Sequence, residues 1–506
     1  MKKSLAIVCL FYLFFTFSAQ SQSPFPNTIF YQIYTRGFYD SNGDGLGDFN
    51  GITQKLDYIE DLGVGALWIM PLFKSNTPHK YFSTDHMLVD PEYGTNNDLK
   101  KLVDEANKRN IKVLIDFSIN HVNNDNAWFL DAVEKGKDSP YYDYFHFVEN
   151  EKDCNPEIHT KEGVFDSAFV VNYKTIVNSK GRKIKYYARF MDAPDLNYDN
   201  PKVRDYYLNV GRYWVGEIGI DGLRLDAARH IYDIESDGAA KPSDRNFKWW
   251  KTFCDEMHRI NPDVFLLGEI WSSPKNAASY LATGMDATFN FDFSAAILKC
   301  VKEEKNQGLT EEYLYQTEIR KSFRNEFGDA TFLINHDMKR LLNELEHDKA
   351  KTKLAVSILM TFPGSPFIYY GEELGFEADW HLLWLPMLWD RWGKDSGQTS
   401  WVLGDSTIMN SYLTVQYDRK NIEHFQPVSI QKKDKNSWYN FYRNIMRWRA
   451  STDALTYGNL IASDLKNENL ISFIRETKKE SVLVIHNVSN KQQVIEIPNE
   501  KYEYKR

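Results

Sequence analysis

KVLIDFSINH, residues 112–121, is a run of apolar residues that turns polar only at its end, with Asp116, Asn120 and His121 closing it. An unbroken apolar run of this length reads as a parallel strand buried on both faces, because a half-exposed strand would alternate. The segment before it, NNDLKKLVDEANKRN (96–110), places Leu99, Leu102, Val103 and Ala106 on one side of a helix. Working outward, the same pairing of apolar strand and amphipathic helix recurs. Strand-like runs stand at 28–38, 66–73, 112–121, 219–228, 264–271, 287–293, 331–337 and 366–373, with helical segments such as FKWWKTFCDEMHRI and KTKLAVSILMTF between them. Eight alternating units predict an α/β fold, a (β/α)8 barrel. No glycine-rich dinucleotide fingerprint supports an open doubly wound sheet instead.

The spacing is broken once. Between His121 and Gly219 lies far more chain than one helix needs, and PKVRDYYLNVGRYWVGEIG (201–219) supplies that helix. An inserted subdomain is therefore expected at 122–200, with the barrel built from 23–121 and 201–454. KNSWYNFYRNIMRWRAS reads as the closing helix. Beyond it LISFIRE, SVLVIHNVS and QQVIEIP alternate as antiparallel strands, so a short C-terminal β domain is expected at 455–506.

At 506 residues with 42% hydrophobic and 26% charged residues the composition is that of a globular protein. A net charge of −9 argues against nucleic acid or an anionic membrane as partner. Thirteen Trp, 30 Tyr and 32 Phe suit a protein that stacks rings on sugars. Lys2 and Lys3 ahead of the apolar run Leu5–Phe17 and the small residues of FSAQSQ predict a secretory signal peptide over 1–22, hence an exported, periplasmic or extracellular protein without a membrane span. The four cysteines, Cys9, Cys154, Cys254 and Cys300, have neither disulfide-framework nor metal-site spacing.

Polar residues at the carboxyl ends of barrel strands are the catalytic candidates. Asp116, Asn120 and His121 end the third strand, and Arg224 and Asp226 share one side of the fourth. Glu269 ends the fifth, and Asn335, His336 and Asp337 end the seventh. Carboxylates with no activated serine or cysteine suit glycosidic bond cleavage, which uses one carboxylate as nucleophile or base and one carboxylic acid as proton donor. No G-x-S-x-G, H-x-H or H-E-x-x-H pattern offers another hydrolytic chemistry.

DFSINH (116–121), GLRLDAARH (222–230), GEIW (268–271) and FLINHD (332–337) resemble, in order, the four signature segments of the α-amylase superfamily of glycoside hydrolases. APDLN (193–197), GVGALWIMP (63–71), DPEYGT (90–95) and FPGSPFIYYGEE (362–373) resemble it too. The resemblance implies Asp226 as nucleophile, Glu269 as general acid/base and Asp337 as third carboxylate. It implies substrate contacts from Tyr81, His121, Arg224 and His336, with both histidines donating hydrogen bonds to the sugar. The implied substrate is an α-glucan or malto-oligosaccharide, cut at α-1,4 bonds because Ala227 after the nucleophile is small, and a monomer is expected. An α-glucosidase, cyclomaltodextrinase or transglycosylase of the same family, or a non-catalytic glucan-binding homologue, are the alternatives. Tyr81-Phe82 departs from the family's Tyr-Asp, and Asp192-Ala193-Pro194 from its Met-Pro or Gln-Pro.

YDSNGDGLGDFNG (39–51) alternates oxygen side chains with small residues. As an EF-hand starting at Asp40 it fails, because the twelfth position is Gly51 rather than glutamate. The superfamily resemblance instead implies a structural Ca2+ held by Asp40, Asn42, Asp44, the Leu46 carbonyl and Asp48.

Overall fold

The computed structural model describes residues 25–148, 172–232, 244–378, 384–391, 397–401, 407–409, 414–416, 424–465 and 467–496. The expected signal peptide lies outside them, as do Cys9 and Cys154. Eight parallel strands close a barrel: β1 (Phe30–Ile33), β2 (Ala66–Ile69), β3 (Lys112–Phe117), β4 (Gly222–Leu225), β5 (Phe265–Gly268), β6 (Ala287–Phe289), β7 (Gly328–Phe332) and β8 (Ser365–Tyr369), each beside its chain neighbours and β8 against β1.

The strands are largely apolar on both faces because they are covered on both. Outward residues such as Tyr31, Leu67, Ile115 and Leu266 pack under the helices. Inward residues Phe30, Ala66, Trp68, Leu114, Phe265, Leu267, Phe289, Phe332 and Phe367 fill the interior. That plug is largely aromatic, with Phe30 stacked on Phe367 at 4.2 Å between ring centres. Room for it is made by Gly222, where a β-carbon would stand 2.4 Å from the Phe265 ring.

The expected helices form. Asn96–Asn107 starts at a Thr95 capping box closed by Asp98. Asp244–Ile260, Lys349–Thr361 and Trp438–Ala450 follow, and Pro201–Arg212 runs on into a π-helical turn to Ile218. The interval after β3 holds the helix Ala127–Lys135 and a three-stranded antiparallel sheet of Phe147–Val148, Asn172–Val177 and Lys183–Ala188. Its end returns to the barrel, where His121 bridges Asp195 and the Leu196 amide donates to the Asn120 carbonyl at 3.0 Å.

Two expectations need correcting. The seventh strand begins at Gly328 and ends at Phe332, earlier than 331–337. GDAT reads as a loop, yet the Asp329 carboxylate is satisfied inside by Asn290 at 3.2 Å and Arg320 at 3.4 Å. His336 and Asp337 therefore sit on the following loop. In the C-terminal sheet the third strand is Asn459–Ala462, paired with Leu470–Glu476, which pairs in turn with Ser481–Asn487. QQVIEIP forms no strand over its described residues, 492–496, and Val494 is exposed. Among the described residues no helix is long and apolar enough to cross a membrane, and Cys254 and Cys300 are buried and unpaired.

Candidate active site

The period of two that fills the barrel also builds its mouth. Above inward Leu114 comes inward Asp116, above Gly222 come Arg224 and then Asp226, and above Leu267 comes Glu269. Asp116 and Arg224 are partners in register. The side chains climb from an apolar plug to a charged layer with no change of backbone pattern.

Arg224 organises that layer. Its guanidinium lies 5.1 Å over the Trp68 ring. One terminal nitrogen donates to Asp116 Oδ1 at 2.9 Å and to Asp226 Oδ1, and the other stands 2.5 Å from Glu269 Oε1. Burial opposes its charge, but the carboxylates around it hold its pKa well above the ordinary value. Asp116 also accepts from Trp68 Nε1 at 3.1 Å and Tyr81 Oη at 3.2 Å.

Glu269 accepts from the Ala227 amide at 3.0 Å and from Trp271 Nε1 at 3.0 Å. Burial raises its pKa most and the Asp226 charge adds to it, while Arg224 and the two N–H donors pull it down; the net direction is up. Burial, then the Asp226 and Glu269 charges, likewise push the Asp116 carboxyl up to about 7 against the pull of Arg224. Asp337 keeps the most water, its side chain 46% exposed. Its partial burial, then the Glu269 charge, holds its carboxyl above the usual range against the pull of Arg224, with solvent screening the repulsion. After Asp226 the chain turns sharply, Ala227 taking φ 44° in the left-handed region, which a small side chain tolerates better than a β-branched one. That turn aims the Ala227 amide at Glu269.

Three carboxylates gathered on one buried arginine at the carboxyl end of a (β/α)8 barrel, with Asp337 as a fourth within reach of their charges, form an arrangement for glycosidic bond chemistry. The family model for the alpha-amylase catalytic domain matches residues 32–458. This chain belongs to the alpha-amylase family. A second model, the alpha-amylase SusG C-terminal domain, matches 470–506. Alpha-amylase 3 of Dictyoglomus thermophilum is 33% identical, covering 99% of this chain and 92% of its own. A 4-alpha-glucanotransferase of Thermotoga neapolitana is 31% identical over 92% of this chain and 97% of its own. The alpha-amylase of H. orenii has a crystal structure that superposes with a TM-score of 0.76 at 34% identity, covering 92% of this chain and 90% of that one. As a member of the alpha-amylase family the chain is a glycoside hydrolase.

Within this amylase site the other expected residues fall as follows. His336 is neutral: burial, then the Arg224 charge, hold it well below the ordinary histidine value. Gln32 Nε2 reaches its Nδ1 at 2.8 Å, which leaves the proton on Nε2, 2.5 Å from Tyr81 Oη and 3.2 Å from Asp337. A relay thus runs from Gln32 through His336 and Tyr81 to Asp116. The Tyr81 ring lies nearly parallel to His336, at 8° and 5.5 Å.

His121 is held from behind by Asn120. The Asn120 side-chain amide donates to the His230 carbonyl at 2.5 Å, so its oxygen faces His121 Nδ1 at 3.1 Å and requires the proton there. Burial keeps the ring neutral, its pKa pushed down to about 3. The ring is also hydrogen-bonded to the Tyr81 backbone. Phe82, the departure from Tyr-Asp, packs edge-on against it at 5.1 Å, with Phe190 at 5.2 Å. Arg224 is spent on carboxylates and 1% exposed, so it positions the reacting groups instead of touching substrate. Trp271, which ends the GEIW segment, is a hydrogen-bond donor to Glu269.

Sequence reasoning passed over Trp68 and Gln32. Both are inward positions of β1 and β2, and the alternation along those strands was the signal available. Of the tryptophans in 376–401, Trp389 is core, its indole N–H on the Phe38 carbonyl at 2.6 Å, and Trp384 and Trp401 lie near Tyr34; Trp380 and Trp392 lie outside the described residues.

The 40–48 loop is folded by its own side chains. Asp40 accepts from the amides of Asn42, Gly43 and Gly45 at 2.6–3.1 Å, Asn42 from that of Asp44 at 2.9 Å, and Asp44 from that of Leu46 at 2.8 Å. Asp48 accepts from Ser41 and caps the next helix through the Gly51 amide at 2.7 Å. Gly43 and Gly45 supply the left-handed backbone these turns require, at φ 86° and 93°. Among the described residues no three carboxylate, imidazole or thiol groups stand together as a metal site.

Proposed function

We propose that this chain hydrolyses α-1,4-glucosidic bonds of starch, maltodextrins or related α-glucans with retention of configuration. The observation that carries the reading is the placement of Asp226 and Glu269 on the two terminal nitrogens of Arg224, with Asp337 beside them. A planar guanidinium spaces its partners closely, in keeping with the about 5–5.5 Å between carboxyl groups of retaining enzymes. Asp226 attacks the anomeric carbon and Glu269, protonated because it is buried, gives its proton to the leaving oxygen. Glu269 then activates the water that releases the sugar from Asp226. Tyr81 stacks under the sugar ring in the cleaved subsite, and Asp337, His336 and His121 hold its hydroxyls. A transfer activity is the second reading, since a glucanotransferase is among the relatives: a sugar hydroxyl would replace water at the second step.

The test is to follow product anomers by NMR from a malto-oligosaccharide. First-formed α-anomers are expected, and β-anomers would refute Asp226 as nucleophile. Asp226→Asn should abolish turnover with the fold intact, and product lengths above those of the starting oligosaccharide would mark transfer.

Two further parts of the reading rest on sequence. Residues 1–22 act as a signal peptide that exports the protein, which a mass-measured mature N-terminus near residue 23 would support. The 40–48 loop binds a stabilising Ca2+, supported by its alternation of oxygen side chains and its left-handed glycines. Binding would draw its carboxylates closer together, and no catalytic step runs through it.

A further inference from the structure

Tyr81 sits on a loop, residues 75–83, between the short strands Phe73–Lys74 and Asp85–Val89. The residue before it, Lys80, has two features rarely found together. Its backbone is left-handed at φ 61°, a conformation that costs a non-glycine residue on the order of 1 kcal/mol. Its side chain is only 3% exposed, although a lysine ammonium is among the groups most costly to bury. Such an outlier persists only where the surroundings over-determine it.

The surroundings do so here. The ammonium has three N–H donors and three acceptors: Asp90 at 2.9 Å, Glu92 at 2.8 Å and the Ser75 carbonyl at 3.2 Å. Glu92 is shared with Arg36 at 2.5 Å, on the turn after β1, so two cations and two carboxylates balance. Asp90 also holds the Ser75 amide at 2.9 Å, and Ser75 Oγ holds the Phe82 carbonyl at 2.6 Å. Both sides of the loop are thus tied to one ionic knot beneath it. Because Lys80 turns inward, its neighbour Tyr81 projects the other way, onto His336 and Asp116.

We propose that Lys80 is a positioning residue for the reaction: its buried ammonium, bound to Asp90 and Glu92, fixes the Tyr81 ring at the height where it stacks under the sugar. The proposal rests on the reading of Tyr81 as that stacking ring. It makes specificity for a correctly seated sugar depend on a charge that never meets substrate.

The test is a double-mutant cycle on kcat/KM with a malto-oligosaccharide. Tyr81→Ala alone should lower kcat/KM about 10-fold or more. Lys80→Met should lower it between about 10- and 100-fold, as a displacement of order 1 Å does. In the Lys80→Met background Tyr81→Ala should then cost less than about 2-fold, because the ring is already out of place. If Tyr81→Ala costs the same factor in both backgrounds, or Lys80→Met lowers only the melting temperature, Lys80 is a structural residue and the proposal fails while the reading of Tyr81 stands. If Tyr81→Ala alone changes nothing, both fall, and the retention experiment above still tests the carboxylates separately. Should Lys80→Met not fold, Glu92→Gln, which leaves the Lys80–Asp90 pair, takes its place in the cycle with a smaller loss and the same non-additivity expected.

Discussion

Replacing Arg224 by lysine keeps a positive charge at the centre of the site and removes its shape. The guanidinium serves Asp116, Asp226 and Glu269 from one plane while its face covers Trp68. An ammonium is a compact point charge on a flexible stem, so it cannot span three carboxylates arranged around a fork. At least one buried carboxylate is left unpaired, a defect that costs about 3–5 kcal/mol when a buried partner is removed outright. The retained charge places the expected loss near the lower end, about 3 kcal/mol. Its pH dependence follows from the sign of the shifts. Asp116 and Glu269 already lie above the ordinary carboxyl range, and loss of the guanidinium raises them further. A carboxyl raised in the folded state takes up a proton there first, so the penalty is complete above its folded pKa and disappears toward its unfolded value near 4. Melting temperatures of wild type and Arg224→Lys should therefore differ more at pH 8 than at pH 5. In catalysis Asp226 loses its aim, so kcat should fall about 100-fold or more. KM should change little, because Arg224 does not reach the sugar. Initial rates of reducing-end release and paired thermal melts measure both. A variant that raises KM tenfold with kcat intact, or whose melting deficit grows on acidification, would refute this account of Arg224.

Three other outcomes are expected. With Glu269 raised by burial and acting as the acid, kcat/KM should fall at alkaline pH as Glu269 loses its proton, and Glu269→Gln should remove that limb with the activity; a surviving alkaline limb would assign the acid elsewhere. Glu372 is buried beside Tyr442 and the Tyr369 amide, and burial pushes its carboxyl up to about 8; stability should decline as pH rises from about 4.5 to 8, and Glu372→Gln should flatten that decline in melts across the range. Chelation should lower the melting temperature and added calcium restore it, with Asp44→Ala insensitive to both; if wild type and Asp44→Ala melt alike with and without chelator, residues 40–48 are a turn held by its own hydrogen bonds.

What the amino-acid order determined by itself is the part of this protein governed by short periods. Continuous apolar runs such as KVLIDF and VFLLG commit the backbone to strands buried on both faces, and eight of them separated by amphipathic helices leave a closed barrel as the way to cover them all. The same period of two carries Asp116, Arg224, Asp226 and Glu269 to one mouth, so the charged layer was legible before any contact was known. Tertiary structure decided the partners, because these are set by contacts between residues far apart in the chain. Gln32 and His336 are 304 positions apart, and their contact fixes which histidine nitrogen carries the proton. Asn120 reaches 110 positions to the His230 carbonyl, and that bond turns its side-chain oxygen toward His121 Nδ1. GDAT became a strand because Asn290 and Arg320 satisfy Asp329 inside the protein, and Lys80 became a buried cation because Asp90, Glu92 and Ser75 converge on it. Periodicity tells a side chain which way to face; its protonation, its charge state and the role it takes depend on what faces it back.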